Sequence, residues 1–144
     1  MKKILIVLAL SVVFVGYVQQ NPNIISAYAK QSSSNSQAVS HAYQNKLSDV
    51  QVKGLGRVSR VLPDDNKGSR HQKFILRLAS GQTILIAHNI DLAPRIPNIR
   101  RGDTVEFYGE YEWSKKGGVV HWTHHDPRGR HIGGWLKHKG RTYK

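Results

Sequence analysis

A chain of 144 residues has room for one domain of ordinary size, and its lack of cysteine excludes disulfide cross-links, thiolate catalysis and cysteine-ligated zinc. Lys and Arg number 22 against 9 Asp and Glu, a formal net charge of +13. Such a field attracts polyanions, among them nucleic acid, anionic polysaccharide and anionic lipid surfaces, although a charge sum by itself defines no site.

The first residues carry the marks of a secretion signal. Lys2 and Lys3 precede an apolar run over residues 4–18, interrupted only by Ser11, Gly16 and Tyr17, and Ala27-Tyr28-Ala29 supplies a small-x-small cleavage pattern. Residues 1–29 are therefore expected to be a signal peptide, cleaved after Ala29, which makes the protein periplasmic or secreted. The apolar run is shorter than the roughly 17–25 residues of a membrane helix, but the stretch between it and Ala29 is polar and long for a cleavage region, so an uncleaved N-terminal anchor is the alternative. Residues 30–49 include Gln-Ser-Ser-Ser-Asn-Ser-Gln and read as a polar linker, with a short helical turn expected over 38–47 before the domain begins.

From residue 50 the texture changes to β-branched runs cut by glycine and turn formers. The first strand is expected over 50–62, with Gly54 and Gly56 marking a bend or bulge. Pro63-Asp64-Asp65-Asn66-Lys67-Gly68-Ser69 is a loop. A second strand over 71–79 alternates Phe74, Leu76 and Leu78 with Lys73, Ile75 and Arg77, and Ser80-Gly81 turns it into a third over 82–88. Residues 89–101 contain two prolines and are expected to form a connector with one helical turn, capped by His88 and Asn89, where Asp91 pairs with Arg95 or Arg100. A fourth strand over 104–113 and a fifth over 119–125 follow, joined by Lys115-Lys116-Gly117-Gly118. In the tail, Trp135, Leu136 and Tyr143 are available to pin the chain against the barrel. The pattern is all-β: a small five-stranded OB-fold-like barrel with one short helical connector, occupying 50–144. Closure would remove the exposed strand edges that a small domain without disulfides tolerates poorly.

Three groups of residues carry candidate chemistry. The segment His121-Trp122-Thr123-His124-His125-Asp126-Pro127-Arg128-Gly129-Arg130-His131 holds imidazoles beside a carboxylate. On a regular strand His121 and His125 lie roughly 13 Å apart, too far to share one ion. A bend at Asp126-Pro127 would instead gather His125, Asp126 and His131, with His71 joining from a neighbouring strand. Such a set suits zinc or another divalent first-row metal, although no established zinc spacing is matched. The second group is Arg70, His71, Arg128, Arg130 and His131, whose guanidinium and imidazole groups match phosphate or carboxylate. The third is the interleaving of Tyr108, Tyr111, Trp113, Trp122 and Trp135 with Lys and Arg, a pattern suited to unpaired bases or sugar rings. Phe74 and Phe107 are expected in the core, and His124 is expected to pack rather than ligate.

The strings Arg60-Val61-Leu62-Pro63-Asp64-Asp65, Gly68-Ser69-Arg70-His71-Gln72, Ile86-Ala87-His88-Asn89-Ile90-Asp91-Leu92-Ala93-Pro94-Arg95, Gly102-Asp103, Gly109-Glu110-Tyr111-Glu112-Trp113 and His121-Trp122-Thr123-His124-His125-Asp126-Pro127 resemble a family of small exported bacterial proteins, domain-of-unknown-function family 3465. The resemblance spans roughly residues 55–143 and implies no particular activity. The first strand and its acidic loop also look like thermonuclease, a likeness of fold alone.

These readings converge on an exported, basic OB-fold-like module that binds a polyanion, nucleic acid or anionic glycan, through Arg70, His71, Trp122, Arg128, Arg130 and His131. The alternative is a metal-dependent phosphodiesterase or nuclease with a divalent ion held by His71, His125, Asp126 and His131. A third is a structural envelope protein whose histidines only support the fold.

Overall fold

The computed structural model describes residues 22–144. The basic start and apolar run of the expected signal lie outside the described residues. Among the described residues, no helix is long and apolar enough to cross a membrane.

The chain enters through a helix, α1 (Pro22–Gln44), and continues in seven strands: β1 (Val50–Val61), β2 (His71–Leu78), β3 (Thr83–Asn89), β4 (Thr104–Glu112), β5 (Val119–His121), β6 (Trp135–His138) and β7 (Arg141–Tyr143). The first five close a barrel. β1 pairs antiparallel with β2, β2 with β3 and β4 with β5, while β3 and β5 run parallel. The ring is completed by β1 pairing with β4 over eight residue pairs, from Val50↔Tyr111 to Arg57↔Thr104. This is the expected OB-fold-like barrel. β1 serves two neighbours because it bends: its first half lies on β4 and its second half on β2. The register shifts between Val58 and Arg60, so the bulge falls at Ser59, beyond the two glycines. Gly54 has a different purpose. A Cβ there would run into the Phe107 ring, so the missing side chain lets Phe107 lie against β1.

Strict alternation fills the barrel. Val52, Val58, Phe74, Leu76, Ile84, Ile86, Val105, Phe107, Tyr111 and Val120 are all buried, with Phe74 and Phe107 fully so as expected. The β3–β4 connector holds one helical turn, closed by the Ala93 N–H on the Asn89 carbonyl at 3.1 Å, and Asn89 Oδ1 accepts the Asp91 N–H. Gln72 latches the connector to β2, accepting the Ile96 N–H and donating to the Ile96 carbonyl, both at 2.9 Å. Asp91 pairs with Arg70 at 2.7 Å, and not with Arg95 or Arg100. Arg95 instead meets Asp64.

Two segments depart from the sequence reading. The stretch read as a linker is helical to Gln44, and one compact unit comprises Ser34–Lys144. Its few apolar residues fall at helical spacing, so Val39 and Ala42 are buried and Tyr43 packs beside them. The helix ends in a left-handed Lys46 (φ 52°), with the Leu47 N–H donating to the Ala42 carbonyl at 2.9 Å. Trp113 secures this end by donating its indole N–H to the Tyr43 carbonyl at 3.1 Å. The tail is the second departure. It forms the hairpin β6–β7, which extends the sheet from β4 and adds Leu136 and Tyr143 to the core.

Candidate functional site

Residues of β4 that turn away from the core are Glu106, Tyr108, Glu110 and Glu112. The β4–β5 register sets Glu110 directly opposite His121. The strand expected to continue to residue 125 stops at His121, because Trp122 adopts φ 53°, a left-handed conformation that costs a bulky residue about 1–3 kcal/mol. Gly134 makes room for this turn, since a Cβ there would strike the Trp122 and Tyr108 carbonyl oxygens.

Beyond the turn, Asp126 organises the loop. Its carboxylate accepts backbone N–H groups from Arg128 (3.0 Å), Arg130 (2.8 Å) and His131 (2.8 Å). The N–H groups of Arg128 and His131, followed by that of Arg130, hold its carboxyl below the ordinary carboxylate range. The loop delivers His131 to the barrel wall, where its ring stacks on Trp122 at 3.9 Å between centroids and 11° between planes. His131 Nδ1 donates to the Ile132 carbonyl at 2.8 Å, and Nε2 faces Glu110 Oε2. Partial burial opposes charging of this imidazole, but the Ile132 carbonyl and the Glu110 carboxylate outweigh it and raise its pKa above the ordinary histidine value. The other Glu110 oxygen, Oε1, lies 3.7 Å from His121 Nε2, and Glu112 Oε1 lies 3.4 Å from the same nitrogen.

Beside this cluster a cleft of about 360 Å³ crosses the outer barrel wall, lined by His71 and Lys73 of β2, Leu85 and Ala87 of β3, and Glu112 and His121. A second feature lies further along β4. Cross-strand pairing aligns Lys53, Tyr108 and Trp135 in one row. Tyr108 and Trp135 are 6.0 Å apart, and the ammonium groups of Lys53 and Lys137 lie 5.4 and 4.9 Å from the Trp135 ring centre.

The residues singled out in the sequence are thus dispersed. Trp122 and His131 do meet, in the stack. Arg128 and Arg130 share their loop with exposed side chains, and Arg70 is engaged by Asp91. His71 lies across the cleft wall with His121. The expected metal set of His71, His125, Asp126 and His131 is not assembled. His125 is exposed, and both Asp126 oxygens are occupied by the loop backbone. Among the described residues, the group whose ligand atoms converge is Glu110, Glu112 and His121, all within 4.8 Å of one another. Counting the β4–β5 register back from Gly117-Gly118 would have found the Glu110–His121 pair, because both strands and their turn are evident in the sequence.

Of the remaining histidines, two are structural. His88 is buried, with Nδ1 2.8 Å from Thr123 Oγ1 and Nε2 3.0 Å from the Pro94 carbonyl, and burial pushes its pKa down to about 4. His138 is buried against Asp103 at 2.8 Å, and that bond, with the Arg100 N–H, keeps the Asp103 carboxyl below its ordinary range. His124 packs at 5.2 Å from Trp122, as expected.

No curated protein matches the chain. A family described as "Protein of unknown function (DUF3465)" matches residues 23–144, taking in most of α1 as well as the barrel and the β6–β7 hairpin. The chain belongs to this family.

Proposed function

We propose that the protein is a binding module for a flexible polyanion, nucleic acid or anionic glycan, acting outside the cytoplasm. The observation that carries this reading is the Lys53–Tyr108–Trp135 row with Lys137 beside it. The two aromatic rings offer stacking faces to a base or sugar, and the two ammonium groups beside them would meet its phosphate or sulfate. The net charge of +13 supplies the long-range attraction. Arg57 on β1 and Arg77 on β2 are paired in register and exposed, which continues the basic surface across the barrel. Arg128 and Arg130 add a second basic element, on the loop held by Asp126. The sequence-based set of Arg70, His71, Trp122 and His131 contributes less to this reading, since Arg70 is neutralised by Asp91 and the Trp122 face is taken by His131.

Fluorescence anisotropy with a labelled single-stranded oligonucleotide, and separately with a sulfated glycan, tests the site. Trp135→Ala is expected to weaken binding by about 1–3 kcal/mol. Trp122→Ala is expected to leave affinity within a factor of about two, below the 1.4 kcal/mol of a tenfold change. Equal affinity of Trp135→Ala and the parent chain for both ligands would remove this site.

Export rests on the residues before the barrel. Cleavage after Ala29 falls within α1, so the intact mass of protein recovered from the extracytoplasmic fraction is the direct check. A chain beginning at Lys30 supports the signal reading, and a full-length chain in the membrane fraction supports the anchor.

A further inference from the structure

We infer that Glu110, Glu112 and His121 form a binding site for one divalent first-row transition metal of the zinc class. The inference is independent of the polyanion surface and concerns ligands other than the set suggested by the sequence.

Donors bound at 2.0–2.2 Å around a tetrahedral zinc ion lie about 3.3–3.6 Å from one another. His121 Nε2 stands 3.4 Å from Glu112 Oε1 and 3.7 Å from Glu110 Oε1. These are long for hydrogen bonds and right for two ligands sharing an ion. The three side chains come from adjacent strands, so the barrel itself fixes their positions.

Glu110 is also held in place from behind. Its Oε2 faces His131 Nε2, and that ring is fixed by the Nδ1 bond to the Ile132 carbonyl, so Oε1 is left on the His121 side. Glu110 and Glu112 add two negative charges on one strand face, whose repulsion an ion would relieve.

Trp122 stacks on His131 in a strained backbone conformation, and Asp126 braces the loop behind it. Strain of this kind persists only where surrounding structure enforces it. Gln51 lies directly opposite Glu110 on β1, and its side-chain nitrogen is buried without a protein partner. A water on the ion would supply the acceptor that this buried donor lacks. The neighbouring cleft, lined by His71 and Lys73, gives a small anion access to the His121–Glu112 side of the ion.

Cobalt titration of the full, untagged chain tests the inference, since Co²⁺ reports tetrahedral coordination through visible absorption. The expected result is one equivalent bound, displaced by Zn²⁺, with Zn²⁺ also raising the melting temperature of the parent chain. Glu110→Gln and His121→Ala should each abolish the cobalt spectrum and the zinc-induced shift, while His125→Ala, at an exposed position, should retain both. Melting curves in chelator show whether each variant is folded. Should Glu110→Gln not fold, Glu112→Gln replaces it, with the same expectation. No saturable binding by the folded parent chain overturns the inference. So does a full cobalt spectrum in folded Glu110→Gln or His121→Ala, or its loss in His125→Ala.

Discussion

His88 shows how a single residue ties the connector to the segment that follows β5. Its imidazole spans from the Thr123 hydroxyl to the Pro94 carbonyl inside the barrel, and burial holds its pKa at about 4 against 6.5 in an exposed chain. Between those two values the unfolded state binds the proton and the folded state refuses it, so stability rises with pH across the window. The contribution is fully present above pH 6.5 and is lost as pH falls through 4, amounting to roughly 3 kcal/mol. Urea unfolding followed by tryptophan fluorescence between pH 7 and 4 is expected to show this decline. His88→Gln should flatten it, and an unchanged slope would reassign the pH dependence to other groups. Asp126 acts at the same scale with a different outcome. Removing its carboxylate in Asp126→Ala frees three loop N–H groups, and the expected consequence is loss of the Trp122–His131 stack. Tryptophan emission at longer wavelength with a lowered melting temperature would report that loss.

At the scale of elements, α1 and the β6–β7 hairpin carry the lesson about what a sequence pattern conveys. The strands β1 to β4 were legible because each alternates over seven or more residues with turn formers at its ends. α1 was not, since a serine-rich helix whose buried positions among the described residues are Val39 and Ala42 has little periodicity to display before its partner surface is known. β6 and β7 were too short to alternate visibly at four and three residues, and only their pairing with β4 and with each other makes them strands. Packing of α1 is directly testable. Val39→Ala is expected to cost about 2 kcal/mol, and Gln37→Ala, at an exposed position, less than about 0.5 kcal/mol. Equal melting temperatures for the two variants would restore the linker reading. The candidate site was only half legible for a related reason. Glu110 and His121 are adjacent by strand register, whereas Trp122 reaches His131 through a left-handed turn that residue types do not announce.

For the whole molecule, barrel closure and charge distribution act together. Every strand of the five-membered ring has two neighbours, so no long edge is left open and the wall offers its outward side chains as a continuous surface. On that surface the acidic residues of β4 gather around His121 and His131, while lysine and aromatic side chains gather around Trp135. Glu110 and Tyr108 are two residues apart on one strand face, which places the two features roughly 7 Å apart along β4. The account of the protein as a polyanion-binding module is tested most directly by the salt dependence of oligonucleotide affinity. For the parent chain, the logarithm of the binding constant should fall linearly with the logarithm of salt concentration. The Lys53→Ala, Lys137→Ala double variant should show a slope shallower by about 1.4, the counterions of two phosphate contacts on a single strand. Binding that is indifferent to salt, or an unchanged slope in the double variant, would contradict the account.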